Sequence, residues 1–316
     1  MENSETTLKI LLTAGASDLG IALTRYLASA GHQVFASVGT NQDAKLTRQI
    51  GGIPVYIDTT RDSEIASSLK MAKADVAINL DVQEFNAPPS VASRWSAEHV
   101  VSSTVGIVNA VEAVGTPYLI HVSPAFIYAD SKDPVNEEGK LRRSGDHPLI
   151  TAALKAEKAV KNASVKSTII RAGYTYGANS PDMLNLRKAI LAGKGLTSSD
   201  NLASWIYVDD LASAIALTVE QQPDNAVINV TDGNFVSPKH FLDDLADGMG
   251  ISGAISKSMG ILSMFTGKRV ADDLVSLSSQ ASNDTAKEVL GWEPAYPAHA
   301  DGVAQLLISW RSQLTV

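Results

Sequence analysis

Six short apolar runs recur through the first part of the chain: LKILLTA (8–14), QVFASV (33–38), PVYIDT (54–59), DVAINL (75–80), PYLIHVS (117–123) and STIIRAG (167–173). Their β-branched, nearly continuous apolar character predicts strands buried on both faces, because a strand with one wet face would alternate. The intervening stretches 19–30, 41–50, 62–72, 95–114 and 148–162 predict helices. Strand–helix alternation at this spacing requires right-handed crossovers and gives an α/β fold, a doubly wound parallel (Rossmann) sheet.

From about residue 178 the rhythm changes. GANSPDMLNLRKAILAGKG predicts a loop and a short helix, SWIYVDDLASAIALTVEQ (204–221) returns to strand and helix, and NAVINVTD (225–232) adds a strand. The remainder, 233–316, predicts mostly helix with turns at DGMGISG and LGWEPAYP. The expected organisation is a dinucleotide-binding domain over 1–177, rejoined by 204–232. A smaller, mainly helical lobe, 178–203 and 233–316, lies over the carboxyl ends of the strands, where open α/β sheets bind ligands.

Composition narrows the partners. With 316 residues, 45% hydrophobic and 19% charged, the chain is an ordinary globular one with room for a large core. A net charge of −8 opposes nucleic acid as a partner, and the densest basic cluster, Lys140, Arg142 and Arg143, lies beside Glu137 and Glu138. The absence of cysteine removes disulfides and thiolate chemistry. The acidic start MENSETTLK and the lack of a spanning apolar run lead to the expectation of a cytoplasmic protein with no membrane partner. The six histidines show no pair at helical spacing, so no metal site is expected.

After the first predicted strand comes TAGASDLG (13–20), opening a helix. Such a turn lets backbone approach a pyrophosphate at a helix N-terminus, which makes Ala14, Gly15, Ser17, Asp18, Leu19 and Gly20 candidate cofactor contacts. Ser17 and Asp18 are also helix-capping types, and a carboxylate at Asp18 would repel pyrophosphate unless it points away. The second strand ends SVGTNQD, with neither the acid that selects NAD nor the arginine that selects NADP, so either cofactor is expected. Asp58 is either an adenine contact or a turn acid.

These pieces resemble the extended short-chain dehydrogenase/reductase family of NAD(P)-dependent epimerases and dehydratases, in order along nearly the whole chain. TAGASDLG is similar to its T-G-x-x-G-x-x-G turn with Ala14 and Ser17 at the first two glycines, and Asp58-Thr59 to the Asp-hydrophobic pair after the third strand. NLDV (79–82) stands at the fourth strand end, which implies Leu80 in the cofactor site. STVGIVNAVEA, HVSPAFIYAD, IIRAGYTYG, WIYVDDLASAI and AKEVLGWEP are similar to further family segments.

The resemblance implies a catalytic Ser or Thr at the end of the fifth strand, a Tyr, and a Lys four residues later. Here the first falls on Pro124 with Ser123 before it, the second on Thr151, and only Lys155 remains. A lysine brings a phenol of pKa near 10 into working range, but a threonine hydroxyl is far too weak an acid. Lys155 is expected to keep a cofactor-binding role. Proton transfer, if any, is expected from Tyr128 or Tyr174, which with Tyr207 lie at strand ends expected to face the cleft. Three readings stand: a nicotinamide enzyme with a relocated acid, a cofactor-binding sensor or scaffold without turnover, and a non-redox enzyme on the same fold. Each takes a small molecule, whose identity the loops 82–92, 178–204 and 233–270 leave open; a homodimer is left open too.

Overall fold

The computed structural model describes residues 7–81, 97–145, 147–193, 196–251, 256–258 and 277–313. Lys9 and the three apolar residues Ile10, Leu11 and Leu12 form β1 (Lys9–Leu12), which leads into helix α1 (Asp18–Ser29). The alternation continues through β2 (Gln33–Ser37), α2 (Asn41–Gln49), β3 (Ile53–Val55), α3 (Asp62–Ala72), β4 (Val76–Asn79) and α4 (Ala97–Val114). It then runs through β5 (Tyr118–Pro124), a 3-10 turn (Ala125–Ile127), α5 (Pro148–Lys161) and β6 (Lys166–Ala172). The remaining elements are β7 (Tyr174–Tyr176), α6 (Pro181–Leu191), β8 (Leu196–Ser198), β9 (Ala203–Tyr207), α7 (Val208–Gln221) and β10 (Ala226–Val230). Then come β11 (Phe235–Val236), α8 (Pro238–Gly248), β12 (Ser256–Ser258), α9 (Asp284–Leu290) and α10 (His299–Gln313).

The main sheet has seven strands in the order β10-β6-β5-β4-β1-β2-β3, all parallel. All four residues of β4 and all seven of β5 are buried, as their unbroken apolar runs predict. The order reverses between β1 and β4, so the carboxyl ends of these two strands frame the crevice where doubly wound sheets take a ligand. Helices α1 and α7 pack together, and α3, α4 and α5 form a second set. One apolar cluster runs from Ile10 on β1 to Trp310 on α10, and a second, around Leu11, Ile107 and Leu119, fills the space under α3 and α4.

Beyond β6 the chain turns at Gly173, where a side chain would meet the Trp205 backbone at 2.9 Å. It then forms a small sheet, β11-β9-β7, whose aromatic residues pack on α8: Trp205 and Phe241 stack with ring centroids 4.1 Å apart. No helix among the described residues is long and apolar enough to cross a membrane. The expected substrate loop 82–92 lies outside the described residues, as does much of 233–270.

Candidate functional site

The turn after β1 is built by its own hydrogen bonds. Ser17 caps α1: its hydroxyl accepts from the Gly20 amide at 3.0 Å and donates to the Ala14 carbonyl at 2.7 Å. Ala14 holds a left-handed backbone, φ +46°, a conformation that costs an alanine about 1 kcal/mol relative to glycine. A side chain on Gly15 would meet Ala36 Cβ at 2.6 Å, and one on Gly20 would meet the Ala14 carbonyl oxygen. Both glycines are therefore demanded by the tight turn itself. The first amides of α1, those of Asp18 and Leu19, have no helical carbonyl to bond and form the positive end of the helix.

Asp18 departs from a phosphate cradle. Its carboxylate lies against Gly177 and is hydrogen-bonded by Asn179. Burial raises its pKa, Asp209 adds to the rise, and the Asn179 bonds only partly oppose it. The turn thus fits a pyrophosphate through backbone amides, with Asp18 turned aside as a neighbouring negative group.

Behind the crevice a buried polar chain ties three strand ends together. The Thr13 hydroxyl donates to Asn79 Oδ1 at 3.1 Å and accepts from the Leu80 amide at 2.9 Å. Asn79 Nδ2 contacts the Thr104 hydroxyl and His121 Nδ1, each at 3.2 Å. Burial pushes the His121 pKa down to about 4, with Glu157 opposing, so the ring is neutral. Leu80 itself is a core side chain.

The expected adenine contacts stand at the surface. Asp58 accepts from the amide and hydroxyl of Thr60, at 3.0 and 2.6 Å, and pairs with Arg61 at 3.3 Å. These Thr60 bonds lower its pKa, and they describe a turn acid. Thr59 beside it is half-buried.

The expected catalytic groups are scattered. On α5, Ile150, Ala152, Ala153, Ala156, Glu157 and Val160 are buried, while Pro148, Lys155, Lys158 and Asn162 at its end follow the exposed stripe, with half-buried Thr151 between. Lys155 is exposed. Thr151 uses its hydroxyl to accept from the Gly145 amide at 2.8 Å, holding the preceding loop.

The tyrosines expected at the cleft are in the core instead. Tyr128 is fully buried, donating to Asn229 Oδ1 at 2.7 Å and accepting from Arg171 at 2.7 Å. Tyr174 packs between Phe126 and Trp205, and Tyr207 against Tyr296. Burial raises all three phenol pKa values, the opposite of what a proton donor at neutral pH needs. Ser123, on β5, is buried beside the Glu157 carboxylate.

What the sequence reading missed is the pair that organises this region. Glu157 takes a bidentate guanidinium from Arg171, at 2.9 and 2.8 Å, with both side chains 2% exposed. Burial alone would raise the Glu157 pKa, but the Arg171 bonds and charge outweigh it and hold the carboxyl below its usual range. Glu157 is thus committed to structure. Among the described residues, the buried face of α5 carries Ile150, Ala152, Ala153, Ala156 and Val160 besides the committed Glu157, and β5 ends in Ser123 and Pro124, so these buried positions offer no unengaged acid, amine or phenol.

A family model described as the NAD dependent epimerase/dehydratase family matches residues 10–231. The 3-diazoavenalumate denitrifying reductase of a Streptomyces species is 24% identical over 309 residues, covering 94% of this chain and 100% of that protein. The epimerase family protein YfhF of Bacillus subtilis (strain 168) is 26% identical over 246 residues, with 74% and 77% covered. Among solved structures, a dTDP-glucose 4,6-dehydratase from Bacillus anthracis in complex with NAD superposes with a TM-score of 0.77 at 16% identity, over 97% of each chain. The DesIV dehydratase double mutant from Streptomyces venezuelae, with NAD bound, gives 0.78 at 17% identity, over 96% of this chain and 97% of that one.

Proposed function

The chain belongs to the NAD dependent epimerase/dehydratase family, and from that premise we propose that it is a nicotinamide-dependent reductase of a small molecule that gives its substrate no proton. The bound dinucleotide supplies a hydride. The Asp18 and Leu19 amides and the Gly15–Gly20 turn would hold its pyrophosphate, and the ends of β1 and β4 would frame the rest. NAD and NADP are both accommodated by the proposal, since Thr40 and Asn41 after β2 choose neither.

The observation that carries the reading is the chemistry of α5. Reduction of a ketone leaves an alkoxide that needs an acid, and the buried face of α5 with the end of β5 provides none. A different electrophile removes the need. When a diazonium carbon accepts a hydride, a C–H bond forms, the C–N bond electrons leave with dinitrogen, and charge balances with no proton. The Streptomyces relative, a denitrifying reductase of a diazo compound similar over its whole length, supports this substrate class. The family's usual acid would be superfluous here.

The test is oxidation of NADH and NADPH in the presence of an aryl diazonium carboxylate and, separately, the corresponding aryl ketone. The proposal expects one dinitrogen released per dinucleotide oxidised with the first, and no turnover with the second. Turnover of the ketone alone would overturn it. The proposal places the protein in the cytoplasm, where reduced dinucleotide is available.

A further inference from the structure

Away from the crevice, α8 and α10 bring three metal-ligating side chains together. His240 and Asp244 stand four residues apart on α8 and therefore share a face. His299, the first residue of α10, meets that face. Asp244 Oδ2 lies 2.5 Å from His299 Nε2 and 3.4 Å from His240 Nε2, and the two imidazole centroids are 5.3 Å apart. The three ligand atoms lie within 4.8 Å of one another.

We propose that His240, Asp244 and His299 form a mononuclear site for a divalent transition cation, zinc foremost. Two imidazoles and one carboxylate are a borderline nitrogen–oxygen donor set suited to zinc, with one position left for water. Ligands about 2.0–2.2 Å from a tetrahedral zinc stand roughly 3.3 Å apart. The His240–Asp244 separation already has that value. The His299–Asp244 contact is a hydrogen bond that opens by about 0.8 Å when both atoms turn to the metal.

The gradient of exposure suits capture from solution. His299 is 8% exposed at its side chain, Asp244 35% and His240 60%. The buried imidazole is fixed, and the outermost closes over the ion. Asp243, Asp247 and Asp301 on the same two helices make the neighbourhood negative.

The site's role follows from what α10 holds. The His299 carbonyl accepts from the Tyr176 hydroxyl at 3.3 Å, and Trp310 Nε1 donates to the Ala178 carbonyl at 2.9 Å. A cation joining α8 to α10 braces the segment 176–178, which runs into Asn179, the partner of Asp18. The site is a brace for the C-terminal lobe, and it stands independently of the proposed reduction.

The full chain, stripped with EDTA, is titrated with Zn²⁺ and with Co²⁺. The inference expects one bound ion, the visible absorption of tetrahedral cobalt, and a raised melting temperature on zinc addition. Because His240 is exposed, His240→Ala folds, and losing this one ligand is expected to weaken binding by at least about tenfold and abolish the melting shift. Asp244→Asn serves as the second variant. Absence of binding to the folded wild type, or His240→Ala and Asp244→Asn binding as tightly as wild type, would overturn the inference and leave the cluster a hydrogen-bonded clamp.

Discussion

Asp18 stands in the first turn of α1 with its carboxylate held by Asn179, near enough to the positive helix end to repel a dinucleotide pyrophosphate bound there. Its raised pKa, caused first by burial, means that lowering the pH from neutrality neutralises it sooner than an ordinary aspartate. Dinucleotide affinity is therefore expected to rise once pH falls far enough to protonate Asp18, and Asp18→Asn is expected to raise affinity several-fold and flatten that dependence. Calorimetry across pH checks both; an Asp18→Asn protein that binds more weakly would show the carboxylate to be a contact rather than a neighbour. Ser17 was legible as a cap from its type, and the structure uses it so. The direction of the Asp18 side chain was not legible, because Asn179 and Gly177, which receive it, lie some 160 residues away in the chain.

The helix α5 shows why the limits of an element are easier to read than its rotation. Its limits, 148–162 expected and 148–161 found, follow from Pro148 at the start and a long alanine-rich run. The rotation of that run does not, because Ala152, Ala153 and Ala156 mark no sharp apolar stripe and the buried Glu157 reads as a surface acid. Its buried side is marked by a partner on another element, Arg171 on β6, whose guanidinium pairs with Glu157. Lys155→Met and Thr151→Val are accordingly expected to leave dinucleotide affinity within about twofold, with Thr151→Val costing about 1 kcal/mol of stability through the loop it anchors. A loss of affinity of about tenfold in Lys155→Met, measured on folded protein, would return the lysine to the cofactor site. The cluster of His240, Asp244 and His299 was not legible for a similar reason: His-x-x-x-Asp pairs a histidine with an aspartate rather than two histidines, and the third side chain comes from a separate helix.

At the scale of the molecule, the strand pattern carried most of the fold: the first six runs and NAVINV form the seven parallel strands, while the SWIY strand joins the small sheet, and the parallel pairing is what strand–helix alternation requires. The short strands β7, β8, β11 and β12 carry too few residues to show a period. The polar chain Thr13–Asn79–His121 spans three of the central strands and gives the whole sheet an acid limit. The His121 pKa is depressed from 6.5 to about 4, so its contribution is fully present above 6.5 and is lost as pH falls from there toward 4, about 3 kcal/mol in all. Glu157, held below 4.5, begins to contribute its own loss only lower down. Urea midpoints between pH 7 and 4.5 are expected to fall in the wild type and to fall less steeply in His121→Gln; equal slopes would assign the acid limit elsewhere.

The central claim is reduction without a proton from the protein, and label tracing tests it most directly. With deuterium at the reactive C4 position of NADH or NADPH, an aryl diazonium carboxylate and the wild-type protein in ordinary water, the account predicts deuterium on the carbon that lost dinitrogen, at the same rate in Lys155→Met and Thr151→Val. Hydrogen from solvent at that carbon, or loss of transfer in either folded variant, would contradict it.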